Sequence, residues 1–178
     1  MSAAEYLKQI QSQLAGAWLP RIYREQILQM PTRAYELPPI ARHSTIEIHH
    51  TLLGIELKAG RRRMLCPDLA TARYLAVFAR LGCRQVAIPY DITKISQVAD
   101  DLESSWHRML LFADELSAGK NRGFGTRLRN QLIGKVREEI NAAGAGGQRP
   151  EFKDDTKQTR KPPKSARSTN ADRRTAAR

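Results

Sequence analysis

The sequence predicts an α/β fold: a small mixed sheet of three to four strands with a βαβ unit, packed by N- and C-terminal helices and followed by a disordered basic tail. Three observations predict it. Apolar residues recur at helical spacing at both ends of the body. The period falls to two between residues 44 and 58. An alanine-rich helical stretch then leads straight into the short apolar run Gln85–Pro89.

The elements follow in the order ααββαβαα. Tyr6, Leu7, Ile10, Leu14 and Trp18 predict a helix from about Ala3 to Trp18. Pro20 suits the first turn of a second helix that reaches about Met30, with Ile22, Tyr23, Ile27 and Met30 inward. Pro31, Pro38 and Pro39 mark an irregular connection. In 44–58, Ile46 and Ile48 alternate with Glu47 and His49, and Ile55 and Leu57 with Glu56 and Lys58, which is a strand signature. Ala59-Gly60 makes the turn, and Arg61 to Cys66 returns as the partner strand.

Asp68 is placed as an N-cap and Gly82 as the C-terminal stop of a helix Leu69–Leu81. With only Arg73 and Arg80 charged, that helix is expected to be covered on most of its surface. Gln85–Pro89 follows as a buried strand, completing a right-handed parallel βαβ unit. Thr93 caps a helix to about Leu116, carrying the stripe Ile95, Val98, Leu102, Trp106, Met109, Leu110 and Ala113. A basic, glycine-rich loop, 119–125, precedes a last helix from about Thr126 to Ala142. The domain is thus expected to span 1–143 and the tail 144–178, with Gly144-Ala145-Gly146-Gly147 as hinge.

Charge distribution carries the functional expectation. The net charge is +12, and residues 148–178 supply ten Lys/Arg against four acids. The tail's only large apolar residue is Phe152, too little to offset about 1–2 kcal/mol of backbone entropy per ordered residue. A basic tail on a basic body fits a polyanionic partner, because lysines and arginines displace counterions from phosphates. Two cysteines, Cys66 and Cys83, among apolar residues predict reduced buried thiols in a cytoplasmic protein. The N-terminus lacks a signal-peptide pattern, and no stretch reaches 18 apolar residues, so no membrane association is expected. The sequence leaves oligomerisation open.

Two segments of the body are candidate phosphate contacts. Lys120, Arg122, Arg127, Arg129, Lys135 and Arg137 stand in an 18-residue segment with no acid, around a helix N-terminus whose amides suit an anion. Arg61, Arg62 and Arg63 would crown a β-ribbon tip, where Lys58 faces Arg61 and Glu56 faces Arg63. In the tail, Arg160, Lys161 and Lys164 extend the same surface. The plain alternative for each is a solvated charged surface. The reading is a non-enzymatic nucleic-acid-binding protein without cofactor, for DNA or RNA. Aromatic content of 6 % argues against a base-stacking platform and favours duplex or structured RNA.

Two other classes compete. Glu47, Glu56 and Lys58 share a polar strand face, and Glu56-Leu57-Lys58 is followed by a strand, a helix and a strand. Residues 44–90 in this respect resemble the catalytic core of the PD-(D/E)xK nuclease superfamily, with Glu47 in place of its upstream Asp. The resemblance implies Mg²⁺ held by the two glutamates and a lysine that positions water. Asp68 and Asp91 offer a further carboxylate pair at strand ends, though a cap and a turn account for them better. The third class is a protein-interaction adaptor or oligomeric scaffold, built on the apolar stripes of helices 3–18 and 93–116.

Overall fold

The computed structural model describes residues 2–41 and 44–147. Residues 148–178 of the tail, including Arg160, Lys161 and Lys164, lie outside the described residues. The body is α/β, with five helices and two antiparallel sheets among the described residues.

Ser2 and Glu5 close a capping box at the start of α1 (Ala3–Leu14). The helix stops four residues short of Trp18 in a 3-10 turn, Ala15–Ala17, because Trp18 adopts an extended backbone and Pro20 opens α2 (Leu19–Ile22). A π-helical turn, Tyr23–Ile27, continues α2, so the helix ends before Met30. The Trp18 indole donates to Glu139 (2.9 Å), and Ser105 Oγ donates to the Ala17 carbonyl (2.6 Å). These bonds tie the first turn region to the two long C-terminal helices.

The single mixed sheet with a parallel βαβ unit is not formed. β1 (Thr32–Glu36) is a strand within the stretch read as an irregular connection, and it pairs antiparallel with β5 (Gln85–Pro89). The prolines at 31, 38 and 39 only bracket it. Because β5 takes β1 as its partner, it does not join the other sheet. That sheet contains β2 (Ile46–Thr51), β3 (Gly54–Ala59) and β4 (Arg62–Cys66), in that order. The stretch 44–58 is therefore two strands. Leu52-Leu53 forms the turn between them, and Gly54 supplies the positive φ (+126°).

The second turn is Gly60-Arg61, one residue later than expected, with Gly60 at φ +61°. This shifts the register. Lys58 faces Arg63 rather than Arg61, and Glu56 faces Leu65 while reaching Arg63 diagonally (3.8 Å).

α3 (Leu69–Leu81) is the central helix. Asp68 caps it through the Thr71 amide (2.6 Å), and nine of its thirteen residues are buried. Alanines let it lie between the three-stranded sheet and α4 (Ile92–Ser117). Asp91, not Thr93, is the N-cap of α4, through the Thr93 amide (3.0 Å). Both aspartates are thus accounted for as caps. Arg73 clamps α3 to α4 by binding Asp100 (2.6 Å) and Glu103 (2.6 Å), which hold its guanidinium firmly charged.

α5 (Arg122–Ala143) begins four residues before the expected Thr126. Asn121 caps it, and Gly123–Gly125 belong to its first turn rather than to a loop. Leu128, Leu132, Val136 and Ile140 are its buried face. Past its end, the Gly144 carbonyl accepts from Tyr23 Oη (2.6 Å), and Gly146 (φ +68°) packs against Thr32 and Ala87. Of the glycines expected to form the hinge, Gly144 is thus bonded to Tyr23 and Gly146 lies against the β1–β5 sheet.

β5 has a partner on one side only, yet it is buried. Ala87 stands opposite Ala34, and its amide and carbonyl are bonded by two tyrosines. Tyr23 Oη accepts from the Ala87 amide (2.9 Å), and Tyr74 Oη donates to the Ala87 carbonyl. Burial raises both phenol pKa values, Tyr74 well above its ordinary range, so both stay protonated hydrogen-bonding groups. Cys66 and Cys83 are buried free thiols, and burial pushes Cys83 up to about 12. No helix among the described residues is long and apolar enough to cross a membrane.

Candidate nucleic-acid interface

The cations of 120–137 do not share one face. At about 100° per residue, Lys135, Arg129 and Arg137 lie about 80°, 200° and 280° around α5 from Arg127. Each has its own surroundings. Lys120 sits over the rings of Tyr6 (4.1 Å) and Phe124 (4.9 Å) and bonds the Tyr6 hydroxyl. Arg127 Nε donates to the Gly123 carbonyl (3.1 Å). Arg129 Nε binds Asp114 (2.7 Å), and Lys135 donates to Gln11 (3.0 Å). Arg122 is the first helical residue. An exposed pair such as Arg129–Asp114 can exchange partners at little cost. A continuous basic stripe along α5, however, is not what this helix presents.

A different grouping emerges around Ile40. Three depressions share that residue as a wall. The largest, about 430 Å³, is lined by Ser44, Ile46, Arg80, Trp106, Asn130 and Arg137, among others. A smaller one, about 120 Å³, lies between Pro38, Pro39, Gly82, Cys83 and Arg84. A narrow crevice beside Leu37 and Leu57 is bordered by Arg62 and Arg63. Arg62 and Arg63 of β4, Arg80 near the end of α3, Arg84 just beyond it and Arg137 of α5 therefore border depressions around one residue, Ile40, with Arg61 beside them in sequence at the β3–β4 turn.

Arg61, Arg62, Arg80, Arg84 and Arg137 have no acid within 4.0 Å among the described residues. Their placement has a local cause. The last carbonyls of α3 carry about half a negative charge, which attracts guanidinium groups to the helix end. Two or more full positive charges exceed that half charge, so the pole remains net cationic. Gly82 ends α3 at φ +75°, and a Cβ there would stand 3.3 Å from Arg137 Nη1. Gly82→Ala is expected to cost about 1–2 kcal/mol, since an L-residue is strained in this conformation. Chemical denaturation measures it.

Of the residues singled out from sequence, the structure places Arg62, Arg63 and Arg137 at neighbouring depressions that share Ile40. It leaves Lys120, Arg127, Arg129 and Lys135 dispersed. Arg80 and Arg84 were missed. The signal was there: two arginines flank the Gly82 stop, and a helix end favours cations.

Glu47, Glu56 and Lys58 do share the outer face of the three-stranded sheet. Each glutamate is already engaged. Glu47 bonds His49 (2.9 Å) and Lys58 (3.6 Å), and the His49 bond with the neighbouring lysine holds its carboxyl below the usual range. Glu56 pairs with Arg63. Among the described residues, no group of three or more His, Cys, Asp and Glu side chains converges. Compared with known protein families, with curated proteins and with solved structures, the chain matches none.

Proposed function

We propose that the protein binds nucleic acid without acting on it chemically, through the arginine pole around Ile40, with the basic tail adding local charge. The observation that carries this reading is that Arg62, Arg80, Arg84 and Arg137 border depressions sharing Ile40, none with an acidic partner among the described residues, with Arg61 next in sequence at the β3–β4 turn. Phosphates bound by bidentate arginines would neutralise them. The net charge of +12 adds a long-range attraction of the same sign.

Among the described residues, the depressions offer no row of exposed aromatic rings. Trp106 is buried to 8 % exposure in the largest. The surface thus suits phosphate and shape contacts with a duplex or structured RNA better than stacking with single strands. The test is fluorescence anisotropy of the full chain with labelled duplex DNA, single-stranded DNA and structured RNA at several salt concentrations. Binding that weakens steeply with salt is expected, strongest for the structured forms. Absence of binding to all three at low salt would remove this reading. Divalent-metal-dependent cleavage lost in Glu56→Gln would replace it with a nuclease.

A further inference from the structure

β2 is an edge strand with a free side. β3 lies on one flank, and no strand among the described residues lies on the other. The ladder phase fixes which backbone groups face outward. The Gly60 amide donates to the Thr45 carbonyl (3.1 Å), so positions 58, 56 and 54 of β3 exchange bonds with 47, 49 and 51. By alternation, the amides and carbonyls of Ile46, Ile48 and His50 point to the open edge. Such an edge is a template for another strand unless charge or shape blocks it.

We propose that this edge pairs with β2 of a second copy of the chain, antiparallel about a dyad at Ile48, so that two three-stranded sheets become one. The register is selected by the side chains. With Ile48 opposite the partner's Ile48, Ile46 lies opposite the partner's His50, and all the outward backbone groups find partners. Glu47 then faces the partner's His49, and His49 the partner's Glu47. These are the closely spaced, non-hydrogen-bonded positions, where complementary side chains stabilise and like ones repel. Moving the dyad to Glu47 or to His49 sets two identical polar side chains against each other. A dyad between residues would turn the Ile46–Ile48 face of one copy toward the solvent face of the other.

The same register addresses a second oddity. Leu52 and Leu53, at the β2–β3 turn, are 107 % and 82 % exposed. Extended by the pairing, Leu52 comes opposite the partner's Ser44, beside residues that line the arginine cleft. Ile46 and Ile48, half-buried in one copy, are covered by the partner strand. The pairing does not depend on nucleic acid.

Sedimentation velocity of the full chain at rising concentration tests this, and a monomer–dimer equilibrium is the expected result. His50→Pro removes one outward amide while leaving the β2–β3 ladder intact, and should weaken the dimer at least tenfold. Glu47→His and His49→Glu should each weaken it, and the double swap should restore it. Mixing Glu47→Cys chains with His49→Cys chains under oxidised glutathione should yield a disulfide-linked heterodimer that neither chain gives alone. A chain that stays monomeric at every concentration overturns the proposal. So does a dimer that survives His50→Pro and forms no mixed disulfide, which would assign association to another surface.

Discussion

Tyr74→Phe is expected to lower the free energy of unfolding by about 1–3 kcal/mol, and Tyr23→Phe by a similar amount, although neither change alters the apolar ring. The cost comes from β5. A strand paired on one edge and buried on the other must find partners for its remaining amides and carbonyls, because an unsatisfied buried polar group is costly. At Ala87 the two tyrosine hydroxyls supply them. Tyr74→Phe strips the carbonyl, and Tyr23→Phe strips the amide and also releases Gly144. The two sites share Ala87, so the double variant should depart from additivity. Urea denaturation of both single variants and the double measures this. Losses within a few tenths of a kcal/mol would show that water or a backbone shift replaces the hydroxyls.

Arg80→Glu/Arg137→Glu is expected to lower affinity for nucleic acid on the order of a hundredfold or more. Each charge-assisted contact contributes about 1.5–3 kcal/mol, and every 1.4 kcal/mol is about tenfold. The dependence of binding on salt should flatten as well, by about 0.9 in the log–log slope for each phosphate that is no longer neutralised. Lys135→Glu, on the opposite flank of α5, should have a smaller effect. Both expectations assume that the variants fold, which unchanged far-UV circular dichroism would establish.

The sequence made some of this legible and concealed the rest for physical reasons. The caps at Asp68 and Gly82 fixed α3 to the residue, because side-chain and φ requirements there are local. The length of α4 was readable from its stripe, although Asp91 took the capping role from Thr93. Sheet membership was not readable. Strand pairing is non-local, and β1 carries no clean alternation: Thr32 is buried and Ala34 exposed between flanking prolines. The turn at Leu52-Leu53 was hidden because two leucines are unusual turn residues. The site suffered in the same way. Arg61, Arg62, Arg63 and Arg137 were visible as runs of like charge, but only the folded chain shows that Arg80 and Arg84 join Arg62, Arg63 and Arg137 around Ile40. The evenly basic stretch 120–137, in turn, is scattered by a helical period that places its cations on different sides.

The arginines themselves report on the proposed site most directly. Side-chain Nε–Hε resonances of the full chain can be followed by NMR while duplex or structured RNA is added. Shifts are expected at Arg61, Arg62, Arg80, Arg84 and Arg137, with Arg73, locked between Asp100 and Glu103, as the unmoved reference. Shifts confined to tail arginines, or none while the RNA is bound, would contradict a binding site at the pole around Ile40.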